Sequence, residues 1–562
     1  MIMQSSRRSM GRVRWRIAVP VAATALTGAL VAAGPAASAA THGRSFDSHR
    51  SWFDPGNLVV SGSVYTGQAS LFTSGVTQLP PGCSGSACAP ANADGSYPGV
   101  FNNVIVDPSF GVTSPIFLEQ LTPGGRLVNV LRVPDGNEWG GAAADHVVTS
   151  FSSKSEIALN LSTNGRDLTF MGYDAVPNAV DVSNSNTPGV VDPTDPVSSS
   201  SYRVVAEVNE NGRIHYTLTN AYSGNNGRAA ILNNSHGNDV VYTAGNAGNG
   251  GNPQPDGIIL GGGAQILTPQ RAPERTQSPG QPTPVGSFNV TQLGDKIDKI
   301  GKDTNFRGLT ISNNVVYFTK GSGSNGVDTV YFIDTTGKAC PNGTGVPQAG
   351  AALPTSPIDY NAADLQTAGV TPYNMCVLQG FPTTLAKTST AFPFGLWFAN
   401  ADTLYVADEG SGDNTFDPAS GTYTAAAAQT SAGLQKWVFN GTRWNLAYTL
   451  NAGLNLGAPY TVPGYPTGDN AATGLPWAPA TDGLRNITGR VNPNGTVTIW
   501  AITSTVSGGG DQGADPNKLV AITDPLSAST PSAREAFAVV RSAGFGEVLR
   551  GVSLTPGTLR AG

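Results

Sequence analysis

Two adjacent acids, Asp408 and Glu409, are the side chains of this 562-residue chain best placed for proton transfer. They follow the strand-like run Leu-Tyr-Val-Ala, and carboxyl groups commonly act as general acids and bases. Because adjacent strand residues point to opposite faces, we expect only one of the two to reach a substrate readily.

Among five histidines, His146 is the one expected in a loop where it could serve as a base. No G-x-S-x-G, H-E-x-x-H or P-loop motif occurs, so an enzyme of this sequence would favour acid–base hydrolysis.

Basic residues form the second set of candidates, because they recur at equivalent positions before short β-type runs. We expect them to line the mouth of a central channel and to bind an anionic ligand such as a carboxylate, a uronate or a phosphate. The structural alternative is that each arginine donates to carbonyls of the neighbouring repeat, and that the one acid in the set pairs with a base. The predicted ligand-binding residues are Lys154, Glu156, Arg228, Arg307, Arg485 and Arg550.

Oxygen-rich loops indicate a calcium site. Hard oxygen ligands suit Ca²⁺, although none of these loops matches the EF-hand pattern. The alternative is that Asp, Asn and Gly are frequent there because they favour turns. The candidate ligands are Asp181, Asn184, Asn186, Asp192 and Asp413.

Short β-strands joined by turns are the elements that must position these residues. Glycine and proline make up 110 of the 562 residues, while 39% of the chain is hydrophobic, which favours a large core with many turns over disorder. The runs 309–312 and 315–319 flank Asn-Asn, and 487–491 and 496–502 flank Asn-Pro-Asn-Gly, which are hairpin signals. Such pairs combine into four-strand units that begin near residues 156, 228, 308, 395 and 485.

A four-strand unit repeated at long period predicts a propeller. The runs 57–65 and 549–554 each look like part of a further blade, which they would complete together. We therefore expect an all-β fold, a six-bladed β-propeller of four-stranded blades over residues 57–562, closed by strands from both termini. A β-sandwich is the alternative fold. The loops of widely varying length emerge on one face of the propeller, which we expect to be the binding face.

One blade carries a family resemblance. Asn-Ala-Asp-Thr-Leu-Tyr-Val-Ala-Asp at 400–408, followed by Gly-Leu-Gln-Lys-Trp, resembles an NHL-type repeat and, more loosely, the six-bladed group that contains the gluconolactonases. The segments 220–232 and 243–250 resemble a family of exported bacterial proteins without an established activity. These resemblances imply a propeller fold rather than a particular reaction.

The first 40 residues read as a secretory signal peptide, with a basic stretch, an apolar run and cleavage after Ala39 or Ala40. A membrane anchor is the weaker alternative, since prolines interrupt the short apolar run. Residues 41–56 are expected to be a flexible mature N-terminus.

Five of the 32 basic residues and none of the 38 acidic residues lie in the signal, so the mature chain keeps 27 basic residues and a net charge of −11. This charge disfavours nucleic-acid binding, and we expect an extracellular monomer without a membrane partner.

All four cysteines remain after maturation, and an even number in an oxidising compartment indicates disulfides. Of the three possible pairings, the favoured one joins Cys83 to Cys88 and Cys340 to Cys376. A metal site is the alternative, but no histidine lies near the Cys-x4-Cys pair.

Together these features predict a secreted propeller that binds a small-molecule or polysaccharide ligand, anionic or sugar-like, on its loop-rich face. If it is an enzyme, it is a secreted hydrolase of lactone, ester or glycosidic bonds. The alternative is a non-catalytic extracellular binding or cell-surface interaction module. A buried carboxyl group with a strongly shifted pKa at the channel mouth would favour the enzyme.

Overall fold

A computed structural model describes most of the chain between residues 51 and 558. The described residues are 51–65, 76–79, 85, 88–90, 92–93, 101–102, 112–134, 147–151, 153–179, 182–183, 185–191, 200–235, 239–246, 262–270, 283–296, 304–358, 375–471, 473–509 and 512–558. The predicted signal peptide lies outside them. Among these residues, no helix combines the length and the apolarity needed to cross a bilayer.

Four separate antiparallel sheets each contain four consecutive strands, the arrangement of a propeller blade. Blade 1 consists of Gly227–Asn233, Val240–Gly245, Ala264–Leu267 and Pro284–Gly286. Blade 2 consists of Leu309–Ser312, Val315–Lys320, Thr329–Ile333 and Met375–Leu378, with Thr344–Gly345 added in parallel at its edge. Blade 3 consists of Pro393–Asn400, Thr403–Asp408, Gly433–Phe439 and Trp444–Leu450. Blade 4 consists of Ala480–Val491, Thr496–Val506, Lys518–Pro525 and Ala538–Ser542.

A nine-stranded sheet holds the other long strands, so the structure separates four blades where the sequence predicted six. Within it, set A comprises Glu547–Leu554, Leu58–Val64, Thr113–Leu121 and Leu127–Arg132. Set B comprises Asn160–Leu161, Asp167–Asp174, Arg203–Asn209 and Ile214–Thr219. The two sets merge because the strand Val147–Ser150 pairs with Thr113–Leu121 on one side and with Asp167–Asp174 on the other.

The strands predicted to come together from distant parts of the chain are paired in set A. Leu58 lies opposite Leu554 and Val64 lies opposite Glu547, in an antiparallel register with one irregularity between Ser61 and Gly62. Short strand pairs and helical turns lie in the loops: Gln78–Leu79 with Ala89–Pro90, Asn92–Ala93 with Phe101–Asn102, Phe416–Asp417 with Thr422–Tyr423, the α-helical turn Thr424–Ala427, and the 3-10 turns Val290–Leu293, Ala386–Thr388 and Gln512–Ala514.

The core lies between the faces of neighbouring sheets, and the second and third strands of blade 2 are therefore buried on both sides. Every residue of Val315–Lys320 and of Thr329–Ile333 is buried. Blades 1, 2 and 3 share one apolar cluster, which includes Tyr242, Phe318 and Leu404. The outer strand Leu127–Arg132 instead leaves residues of both faces partly exposed.

The predicted disulfide between Cys340 and Cys376 is present, with 5.7 Å between the Cα atoms. Because its sulfur atoms are bonded to each other, neighbouring Asp334 and these cysteines do not form a thiolate metal site. Cys88 is also disulfide-bonded, while Cys83 lies outside the described residues.

Removing the Cys340–Cys376 bond is expected to lower the free energy of unfolding by about 2–4 kcal/mol, since the bridge restricts the unfolded chain over a separation of 36 residues. Urea denaturation of a Cys340→Ser/Cys376→Ser double variant, with reductant absent, measures this loss. An unchanged denaturation midpoint would contradict the prediction.

Candidate functional site

Two of the predicted ligand-binding arginines make structural contacts at the starts of inner strands. Arg228, which is buried, donates from its NH1 to the Phe306 carbonyl at 2.8 Å and to the Asn305 side chain. Arg550, also buried, donates to the Phe151 carbonyl. Both contacts join separate segments of the propeller-like fold, as the structural alternative predicted.

Arg307 connects three parts of the chain. Its NH1 donates to the Ser155 hydroxyl at 2.6 Å, and its Nε donates to the Ser322 hydroxyl at 3.1 Å. The guanidinium carbon also lies 6.0 Å from the centre of the Phe394 ring, within the range of a cation–π contact. Lys154, which precedes Ser155, is half-buried.

Glu156 is buried and is surrounded by neutral donors. Its Oε2 accepts hydrogen bonds from the Thr149 hydroxyl at 2.7 Å and from the Ser150 amide at 3.0 Å. Its Oε1 accepts from the Tyr173 hydroxyl and from the Asn226 side chain at 3.3 Å. The side chain thus ties set B to blade 1.

Arg485 and Glu409 form a buried ion pair, with 3.1 Å between Nε and Oε2. Arg485 comes from the inner strand of blade 4, and Glu409 follows the second strand of blade 3. Backbone contacts hold the glutamate, since its amide donates to the Phe392 carbonyl at 3.0 Å and its carbonyl accepts from the Ser504 hydroxyl at 2.5 Å. The pair joins a predicted acid–base residue to a predicted ligand-binding residue.

Asp408 ends the second strand of blade 3 and is completely buried. Its carboxyl group accepts hydrogen bonds from the amides of Phe392 at 2.8 Å and Gly410 at 3.0 Å, and from the Gln435 side chain at 3.3 Å. These donors favour the ionised form, but desolvation outweighs them and raises the pKa of Asp408 to about 7.

Asp482 is a third acid at this place, which the sequence analysis missed. It lies at the start of the inner strand of blade 4 and accepts from the Gly412 amide at 2.8 Å and from the Gln429 side chain at 2.5 Å. Burial raises the pKa of Asp482 to about 6. Gly410 has a positive φ of 80°, and a Cβ there would overlap the Asp482 carboxyl group, so this approach requires glycine.

We call Asp408, Glu409, Asp482 and Arg485 the acid cluster. The charge of Glu409 contributes to the raised pKa of both aspartates, and Arg485 partly offsets it at Asp482. The same charge also acts on Asp328, whose pKa is raised mainly by burial although it pairs with Lys320 at 2.7 Å. The cluster therefore places carboxyl groups that titrate between about pH 6 and pH 7 beside an ion pair, a combination suited to acid–base chemistry.

Other predicted site residues lie elsewhere. His146, Asp181, Asn184 and Asp192 lie outside the described residues. Asn186 accepts at Oδ1 from the Ser223 hydroxyl at 3.2 Å. The Oδ1 of Asp413 accepts from the amide of Thr415 at 2.9 Å and from its hydroxyl at 2.7 Å, and these bonds lower the pKa of Asp413. Asp413 thus stabilises a turn, and calcium binding stays a prediction.

Searches for related sequences found no matching family model and no matching curated protein. Among solved structures, the chain is similar to a protein of unknown function from Dyadobacter fermentans, with 9% identity, coverage of 72% of this chain and 96% of the other, and a TM-score of 0.27. A polysaccharide lyase, ulvan lyase, matches with 12% identity over 85% and 97% and a TM-score of 0.27. The haemagglutinin-neuraminidase ectodomain of parainfluenza virus 5 matches with 10% identity over 79% and 76% and a TM-score of 0.26.

Similarity at this level does not define an activity. The structure itself supports the coarser part of the sequence-based resemblance, which is a propeller-like arrangement of four-stranded blades. An NHL or gluconolactonase family is not identified by these matches.

Proposed function

We propose that this protein is a secreted acid–base hydrolase that acts on a lactone, ester or glycosidic bond of an anionic or sugar-like ligand. The observation that carries the proposal is the acid cluster, in which two buried aspartates have a raised pKa beside the Glu409–Arg485 pair. Strongly shifted carboxyl groups are concentrated at catalytic sites because proton transfer requires them.

Glu409 is our candidate for contact with the substrate. It keeps 8% of its surface exposed, whereas Asp408 has none and Asp482 has 1%. In this assignment Glu409 exchanges a proton with the reacting group, Arg485 orients it, and the two aspartates limit further negative charge below about pH 6, where both hold their protons. Asp408 is the last residue of its strand, and Glu409 lies just beyond it.

Replacing Glu409 with glutamine is expected to reduce kcat at least about 10²-fold, since proton transfer by a positioned side chain contributes at least that much. The substrates to screen are sugar lactones, nitrophenyl esters and nitrophenyl glycosides. The exposed residue Asp402 provides the control, as Asp402→Asn removes a charge at the surface of the same blade. Full activity in folded Glu409→Gln protein would refute the assignment.

A non-catalytic binding module is the second candidate, and the burial of the acid cluster favours it. Such a module would bind a sugar or sugar acid without turnover, and binding would survive Glu409→Gln. Measurable binding combined with no hydrolysis across the screen would therefore favour this candidate over the hydrolase.

We further propose that sets A and B complete a closed ring of six blades with blades 1 to 4. Contacts between successive inner strands support the ring. A Cβ at Gly551, Gly308 or Gly395 would overlap a backbone carbonyl at the start of the following set or blade. Side chains make the other three contacts. In ring order the contacts are Gly551 to Ile157, Asn160 to Ala230, Arg228 to Phe306, Gly308 to Phe394, Gly395 to Arg485, and Asn486 to Val552.

A further inference from the structure

Lys518 is a basic residue of blade 4 that has no acidic partner among the described residues. It begins the third strand of blade 4, Lys518–Pro525, and is half-buried. Its Nζ lies 3.4 Å from the centre of the Tyr460 ring. Desolvation alone lowers the pKa of Lys518, and no carboxyl group within the described ranges forms an ion pair with it.

The backbone around Lys518 is fixed in place. Its amide donates to the Thr503 hydroxyl at 3.0 Å. The preceding residue, Asn517, bonds through its side chain to both the amide and the carbonyl of Leu549 at 2.8 Å. The Tyr460 hydroxyl donates to the Pro516 carbonyl at 2.8 Å, which holds the ring next to the ammonium group. The pair is therefore a preorganised feature rather than a mobile surface side chain.

An exposed aromatic ring lies on the segment next to Lys518. The Ala543 amide donates to the Asn517 carbonyl at 2.8 Å, and the same loop presents Phe545, which is 44% exposed. Phe545 packs edge-on against Tyr465, with 6.4 Å between the ring centres. The region thus combines a partly desolvated ammonium group with an apolar ring surface, which together suit an organic anion.

We propose that Lys518, with Tyr460 and Phe545, forms a binding site for a sugar acid, whose carboxylate pairs with the ammonium group while its ring packs against the aromatic surface. An anion would compensate the ammonium group for the hydration that it loses on burial, and the adjacent ring adds apolar contact. This site is separate from the acid cluster, and it does not depend on the proposed hydrolysis.

The probes are D-glucuronate, inorganic sulfate and the neutral sugar methyl β-D-glucopyranoside, applied to the full protein. Limited acetylation followed by peptide mass spectrometry reports the accessibility of each lysine. We expect D-glucuronate to protect Lys518 and to leave the exposed residue Lys387 unprotected. The neutral glucoside should not protect Lys518, and sulfate should protect it less than D-glucuronate does.

Calorimetric titration then tests the role of the charge. We expect Lys518→Gln to weaken D-glucuronate binding about tenfold or more, while Lys518→Arg and the control Lys387→Gln change it less than about threefold. Glu409→Gln should leave this binding unchanged, which separates the site from the proposed catalysis. Equal protection by the glucoside or by sulfate, no protection at all, or unchanged affinity in folded Lys518→Gln would each overturn the proposal.

Discussion

Replacing Lys436 with methionine is expected to lower the free energy of unfolding by about 3–5 kcal/mol. The Lys436 ammonium group lies 2.9 Å from the Asp524 carboxylate, and neither side chain has any exposed surface. Its other partners are the Tyr448 hydroxyl at 2.9 Å and the carbonyls of Pro525 at 2.7 Å and Ala528 at 3.1 Å. Removing the lysine therefore leaves a buried negative charge without its cation, and that is the source of the large expected loss.

Two tyrosines complete this network between blades 3 and 4. The hydroxyls of Tyr405 and Tyr448 both donate to Asp524, and the pKa of each tyrosine is raised by burial and by that carboxylate. The buried Asp524 carboxylate is thus stabilised by the Lys436 ammonium group and by the two tyrosine hydroxyls. Removing Asp524 alone leaves the buried ammonium group without its counter-charge and the two hydroxyls without their acceptor, so Asp524→Leu should also be strongly destabilising.

The double variant Lys436→Met/Asp524→Leu provides the decisive comparison. Because it removes both charges together, we expect a loss smaller than the sum of the two single losses. Urea denaturation measures all three, and Lys387→Met, at an exposed position, should change the free energy by less than about 0.5 kcal/mol. A Lys436→Met loss below about 1 kcal/mol, or additive losses, would show that the pair contributes little.

The sequence predicted local strand pairing well because a hairpin depends on residues close together in the chain. The runs expected at 309–312 and 315–319 correspond to the observed strands Leu309–Ser312 and Val315–Lys320. The prediction of six separate blades was only partly confirmed, because the structure separates four. The strand Val147–Ser150 joins the other two four-strand sets, and no local sequence pattern specifies that pairing.

The candidate site could be predicted only in part, for a related reason. Asp408 and Glu409 stand out because they end an apolar strand. Asp482 does not stand out, since Thr-Asp-Gly is typical of an ordinary turn. Its burial depends on two glycines about 70 residues earlier: the Gly412 amide donates to its carboxyl group, and Gly410 has no Cβ that would overlap it. Likewise, arginines that recur at equivalent positions indicate where inner strands start. They do not predict which carbonyl or carboxylate group each arginine binds.

The stability of the protein is expected to fall as the pH rises from about 4 to about 7, because of the acid cluster. The pKa of Asp408 is about 7 and that of Asp482 is about 6 in the folded chain, both above the ordinary value of 3.8. The folded state therefore retains protons that the unfolded state has already released, and a rise in pH through this window favours unfolding. At about 1.4 kcal/mol per pH unit, Asp408 alone would account for a loss of about 2–4 kcal/mol.

Asp408→Asn tests this directly, since asparagine keeps the size of the side chain but does not ionise. We expect urea midpoints measured from pH 5 to pH 8 to decline clearly in the unsubstituted protein and much less in Asp408→Asn. Asp402→Asn, at an exposed position, should decline as the unsubstituted protein does. Asp334 and Asp413, whose pKa is lowered, act in the opposite direction and only below about pH 4, outside the measured range. Parallel declines in all three proteins would mean that Asp408 is ionised throughout, and the proton-holding role assigned to it would then be lost.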